Sequence, residues 1–250
     1  MIEVYRIPMS KQKLAELPRG ERVLLLLMGQ AANQINVFWK LATFSTNHTP
    51  ANEIECRLSA AQSHILLRAL FGTVFEAWNM ICIHKHIVEK YLPHIDDDGR
   101  SGYNFLQKYF SNSKRLDNLR HNFSYHYPNA KVVERTFKSV PDNEEGWEWY
   151  LSHTNTNSFY FPSEHIMTYG VMNEAKDKSS QQTALSEVLA EIEHVAGTIP
   201  RFIMPFMRAM LYKHFGESIL DTRPEKTIIR DAPGLFEFWI PFFAERPERQ

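Results

Sequence analysis

Apolar positions recur at three- and four-residue steps over much of the chain. Pro18-Arg19-Gly20-Glu21 opens the first such run, in which Leu24, Leu27, Ala31, Ile35, Phe38 and Ala42 form a single stripe. That spacing puts them on one face of an amphipathic helix. The pattern fades near Asn47, ahead of Pro50. A second long helix is predicted from about Ser59 to Tyr91, with Leu67, Leu70, Phe71, Val74, Phe75, Trp78, Ile81 and Cys82 on its buried face. Pro93 and the acidic loop Asp96-Asp97-Asp98-Gly99 end it. A third helix is predicted from about Gly102 to Tyr125, and Pro128 stops it.

The pattern then changes. Residues 131–172 mix β-branched and aromatic residues with polar turns. Trp147-Glu148-Trp149-Tyr150-Leu151 and Ser158-Phe159-Tyr160-Phe161 flank a polar stretch from His153 to Asn157, which predicts a β-hairpin or a packed loop inserted between helices. The last long helix starts near Ser180, with Leu185, Val188, Leu189, Ile192, Val195, Ile199, Phe202, Phe206 and Met210 on its face. Pro200 and Pro205 should kink or split it. A Pro-rich tail from about Thr222 to Gln250 carries Leu235, Phe236, Phe238, Trp239, Phe242 and Phe243. That much aromatic surface should pack on the protein's own body or on a partner. The pattern predicts a mainly α-helical fold: one domain over residues 1–250, with an irregular or β-hairpin insertion at about 131–172 and an aromatic tail.

Composition narrows the function classes. A chain of 250 residues can bury a sizeable core without metals or disulfides. Its net charge of −1 gives no global field for nucleic acid or an anionic membrane, so any nucleic-acid site must be local. Cys56 and Cys82 are the two cysteines, expected to be reduced and buried like small hydrophobes. Residues 1–20 contain Glu3, Glu16 and no long apolar run, and the longest apolar run, Val23 to Met28, is too short to cross a bilayer. These features predict a cytoplasmic protein without a membrane partner.

The end of the third helix concentrates chemistry in Leu119-Arg120-His121-Asn122-Phe123-Ser124-Tyr125-His126-Tyr127. Asn122 and His126 are four apart and share a face on a continuous helix. Arg120 precedes His126 by six and joins it only if the helix bends or frays, or if a second copy supplies the missing group. From Lys108 to Lys138, seven Lys and Arg face two acids, a local charge of +5, with Tyr109, Phe110, Phe123, Tyr125 and Tyr127 interleaved. Basic groups can follow a phosphate backbone and exposed rings can stack on unpaired bases. The alternative is a basic helix end whose aromatics lie in the core.

Arg120 and His126, with Asn122 between them, resemble the R-x(4–6)-H signature of HEPN domains. The resemblance implies a helical bundle, commonly dimeric, with the motif late in the bundle at the dimer groove. It implies a metal-independent endoribonuclease of a toxin or antiviral defence system, with no cofactor, a neutralising protein partner where it acts as a toxin, and 2′,3′-cyclic phosphate products. His126 would be the acid or base, Arg120 the phosphate-stabilising cation and Asn122 an orienting group. This chain departs from many members in placing His121 directly after the arginine, where a polar residue often stands. His121 is a substitute candidate, or a solvent-facing helix residue. Two other readings remain: a catalytically silent HEPN-like module binding RNA or protein, and a helical homodimeric assembly protein in which Arg120 and His126 line a buried seam.

Other motifs carry less. Glu191 and His194 have the Glu-x-x-His spacing of di-iron bundles, but a second copy is lacking and a solvated face explains them better. Asp96-Asp97-Asp98-Gly99 lacks the glutamate an EF-hand needs, since its twelfth place is Gln107. There is no Gly-rich nucleotide loop, and two cysteines cannot build a zinc site alone. His153 and His165 fall in the insertion, where sequence leaves their direction open.

Overall fold

A computed structural model describes residues 2–47, 49–124, 126–145, 147–153, 157–216 and 225–244. Tyr125, Thr154–Thr156 and the two ends of the predicted tail lie outside the described residues. The elements follow the order β1 (Ile2–Arg6), α1 (Lys11–Glu16), α2 (Arg19–Thr46), α3 (Glu53–Ile83), α4 (Lys85–Tyr91), α5 (Asp97–Asn112), α6 (Arg115–Leu119), a π-turn (Arg120–Ser124), α7 (Ala130–Ser139), β2 (Trp149–Tyr150), β3 (Phe159–Tyr160), α8 (Phe161–Met172), α9 (Gln181–Phe215) and β4 (Glu225–Ile229). The protein is mainly α-helical, with two small two-stranded antiparallel sheets among the described residues.

Helix α2 matches its predicted limits, and Leu24, Ala31, Ile35 and Ala42 of its stripe are buried. The second and third predicted helices each divide. Helix α3 begins earlier than its pattern suggested and stops at Ile83, where the imidazole Nδ1 of His84 bonds the Met80 carbonyl at 2.9 Å. Helix α5 begins inside the acidic stretch read as a loop. Asp96 is its N-cap, accepting the Gly99 N–H at 2.8 Å, and Asp97 and Asp98 fill the first turn, where carboxylates oppose the helix dipole favourably. The region 131–172 is also more helical than predicted: α7 and α8 flank the short β2–β3 pair. Helix α9 continues through Pro200 and Pro205. Each proline costs about 3 kcal/mol in a helix interior. Burial of Ile199, Phe202, Ile203 and Phe206 outweighs that cost.

Two compact units can be distinguished, and α2, α3 and α9 each supply residues to both. The first comprises Met1–Asn36, Thr73–Ser113 and His194–Gly234. Its core contains Leu24, Met28, Trp78, Tyr91, Leu106 and Phe206. Trp78 stacks on Phe110 at 5.1 Å, and Tyr103 leans on Phe202 at 5.2 Å. Strands β1 and β4, absent from the predicted elements, pair from Ile2↔Ile229 to Arg6↔Glu225, and β1 is exposed along its length.

The second unit comprises Val37–Gly72, Lys114–Glu193 and Leu235–Gln250. Leu58, Ala61 and Phe159 form one buried cluster, against which Tyr150, Phe161 and Phe242 pack. The described part of the aromatic tail docks here. Asn47 donates to the carbonyls of Leu235 and Phe238, Gln62 donates to that of Ile240, and Phe238 meets Phe44 edge-on at 5.1 Å.

Two expectations change. Both cysteines are exposed rather than buried: Cys56 lies in the opening turns of α3 and Cys82 at its closing end, beyond the well-covered stretch. Helix α3 is also long and apolar enough to cross a membrane by length and composition, although single polar residues interrupt its apolar run. Half of its most apolar stretch is buried inside the protein, as in a core helix.

Candidate functional site

The candidate residues sit where α6 gives way to the π-turn, in the second unit. Helix α6 is anchored first. Leu116 and Leu119 are fully buried, and Arg115 is 7% exposed. The Arg115 guanidinium pairs with Glu187 at 2.7 Å and also with Glu191, both on α9. Glu187 accepts the backbone N–H of Asp177 at 2.9 Å and that of Lys176. The Asp177 amide, the Arg115 charge and the Lys176 amide hold its carboxyl down at about 2. Burying a guanidinium is costly unless two acceptors meet it, and here they do.

The π-turn follows directly. Phe123 is buried, and its ring lies against the backbone of Gly170 on α8. A Cβ at position 170 would come within 2.1 Å of Cε1 of that ring. Phe123 therefore fits only beside a glycine. It fixes the turn, whose wider path re-aims the polar side chains around it.

Those side chains converge. Arg120 Nη1 donates to His121 Nε2 at 2.8 Å. His121 Nδ1 lies 2.8 Å from both the backbone oxygen and the Oδ1 carboxylate oxygen of Asp117. Both Asp117 atoms are acceptors, so Nδ1 carries the proton and Nε2 keeps the lone pair that Arg120 meets. The His126 ring stacks on that of His121, with centres 6.3 Å apart and planes 22° apart. His121 and His126 are exposed, whereas Arg120 and Asn122 are half-buried. Arg120 and His126 thus meet through His121, and the contacts joining the cluster bypass Asn122.

A sign of this position of His121 is visible in the sequence, since Asp117 stands four residues before it and can reach it on a helix. What it lacked was the π-turn. The basic window also thins in three dimensions, because Arg115 is consumed by two glutamates and Lys138 pairs with Glu134 at 3.0 Å. Tyr127 is fully exposed, and Phe123 belongs to the core.

The remaining candidates have structural surroundings. His165 packs among the rings of Trp147, Phe161 and Tyr169, and burial lowers its pKa. His64, which the sequence did not single out, is pushed down to about 4 by burial and the neighbouring Arg68 charge, and its Nδ1 lies 3.2 Å from Thr168 Oγ1. Glu191 serves Arg115, while His194 meets the Phe105 ring edge-on at 4.5 Å. Among the described residues no three His, Cys, Asp or Glu side chains converge as a metal site would need. No protein family, curated protein or solved structure matches this chain.

Proposed function

We propose that this protein is a HEPN-like, metal-independent endoribonuclease acting through Arg120, His121 and His126. The single observation supporting this most is the joining of one guanidinium and two imidazoles in an exposed cluster. Cleaving RNA without a metal requires a base for the 2′-OH proton, an acid for the departing 5′-oxygen and a cation for the crowded phosphate. Arg120 grips the non-bridging oxygens in two-pronged fashion. Engaging phosphate replaces its bond to His121 and frees the Nε2 lone pair. His121, oriented by Asp117, then takes the 2′-OH proton while His126 protonates the 5′-oxygen. The 2′-O–P bond forms, the P–O5′ bond breaks, and a 2′,3′-cyclic phosphate is left. Asn122 takes no step.

The proposal includes a cytoplasmic homodimer and, if the protein acts as a toxin, a neutralising partner protein. Its test is cleavage of varied RNAs in EDTA by wild type, Arg120→Ala and His126→Ala, with end-group analysis. Wild type should give cyclic phosphate ends and both variants should lose activity. Undiminished cleavage by the variants would exclude this site. RNA that binds through Arg120 but stays intact would favour the silent binding module.

A further inference from the structure

The first unit contains an open groove of about 670 Å³, bordered by His94, Asp96, Pro205, Arg208, Tyr212 and Lys213. Several other cations of this unit are paired with acids: Arg100 with Asp97, Arg201 with Asp98, Lys85 with Glu89 and Lys226 with Glu3. Arg208 and Lys213 rest over aromatic rings, and the Lys213 charge is also felt by the Glu21 carboxylate behind the Tyr91 hydroxyl. The Arg208 guanidinium lies 5.4 Å from the centre of the Tyr212 ring, and Lys213 Nζ lies 4.8 Å from that of Tyr91.

The second of these rings is firmly held. Tyr91 is wholly buried, and its hydroxyl donates to Glu21 Oε2 at 2.5 Å, an oxygen that also lies 2.5 Å from His214 Nε2. A ring face holds a cation without occupying its N–H donors with an acceptor oxygen. Both cations therefore keep donors for a ligand. The end of α9 would attract Lys213 through its helix dipole, but that does not explain Arg208, more than a turn earlier. Against these cations the groove presents one carboxylate, Asp96, already engaged as the α5 cap. His94 is a further donor.

We propose that this groove binds a phosphate ester of nucleotide size, with phosphoryl oxygens on Arg208 and Lys213 and the base alongside Tyr212. Its volume falls within the roughly 300–1,000 Å³ usual for small-ligand sites. The site is separate from the Arg120 cluster and does not depend on its activity.

The test uses the full chain carrying Arg120→Ala and His126→Ala, so that the proposed cleavage site is disabled. Binding of fluorescent AMP and of a labelled short oligouridylate is measured at low salt, with and without Arg208→Gln and Lys213→Gln. Circular dichroism melting checks that the fold survives, and Arg208→Gln alone provides a milder variant. The double substitution should weaken binding at least about tenfold with melting unchanged. Loss with AMP identifies a free nucleotide as the ligand. Binding of oligouridylate alone, with a log–log salt slope that falls by roughly 1.4 on substitution, identifies a nucleic-acid strand. Failure of both probes to bind, or binding undiminished by the double substitution, overturns the proposal.

Discussion

Arg115 and Arg120 stand five residues apart in one stretch of chain, and their surroundings are opposite. Arg115 is buried and held by two glutamates, one of which is itself fixed by two backbone amides. Arg120 is half-buried and donates to an exposed imidazole. A guanidinium surrounded by carboxylates has its charge already matched and holds elements together. One that leans on an exposed imidazole lies where an incoming anion can reach it. Residue type alone cannot separate these roles; the partners do so.

The strongest way to break this contrast is to remove the open cluster. Arg120→Ala and His126→Ala should each reduce RNA cleavage by about 10³-fold. Urea unfolding should move by less than about 0.5 kcal/mol, because both positions lie outside the core. A large stability loss in either variant would mean that the cluster is structural.

Next comes the buried arginine. Arg115→Ala should cost about 2 kcal/mol in urea unfolding, with Glu187 and Glu191 left without their cation. Cleavage per folded molecule should stay close to wild type. A rate loss like that of Arg120→Ala would erase the distinction.

Gly170→Ala tests the link between the two. Its new methyl would press on the Phe123 ring, and overpacking of this kind costs roughly 1–2 kcal/mol. Displacing Phe123 shifts the turn carrying Arg120 and His121, so cleavage should fall together with the melting temperature. An unchanged rate would separate the turn from the chemistry.

The mildest test concerns pH. Glu187 is held at about 2 in the folded protein against an ordinary 4.5, so the stability it lends is fully present above about pH 4.5. It is lost as the pH falls towards 2, where the folded carboxylate also protonates. Glu187→Gln should flatten the acid limb of the stability curve within that window. An acid limb identical to wild type would place the dependence on other groups.

The helical character and the limits of α2 were legible because an apolar stripe at helical spacing is a local signal. The breaks at His84 and Ser113 were not, since no proline marks either, and the helix through Pro200 and Pro205 ran against local propensity. At the candidate site, the local reading put Asn122 and His126 on one face and joined Arg120 to them only through a bend, a frayed end or a second copy, whereas a π-turn runs from Arg120 to Ser124. It underrated His121. On a regular helix adjacent residues do not face each other, and only the π-turn with a long arginine brings Arg120 to His121.

By itself, then, the sequence determined a mainly helical protein, the extent of one long amphipathic helix and the stretch in which an arginine, an asparagine and two histidines crowd together. These follow from periodicity and from the chemistry of neighbouring side chains. The tertiary structure decided which arginine is spent on glutamates, where the long helices break, and which histidine joins Arg120 to His126. Those outcomes depend on residues far apart in sequence, Glu187 and Glu191 for Arg115 and Gly170 for Phe123, whose contacts exist only once the chain has folded.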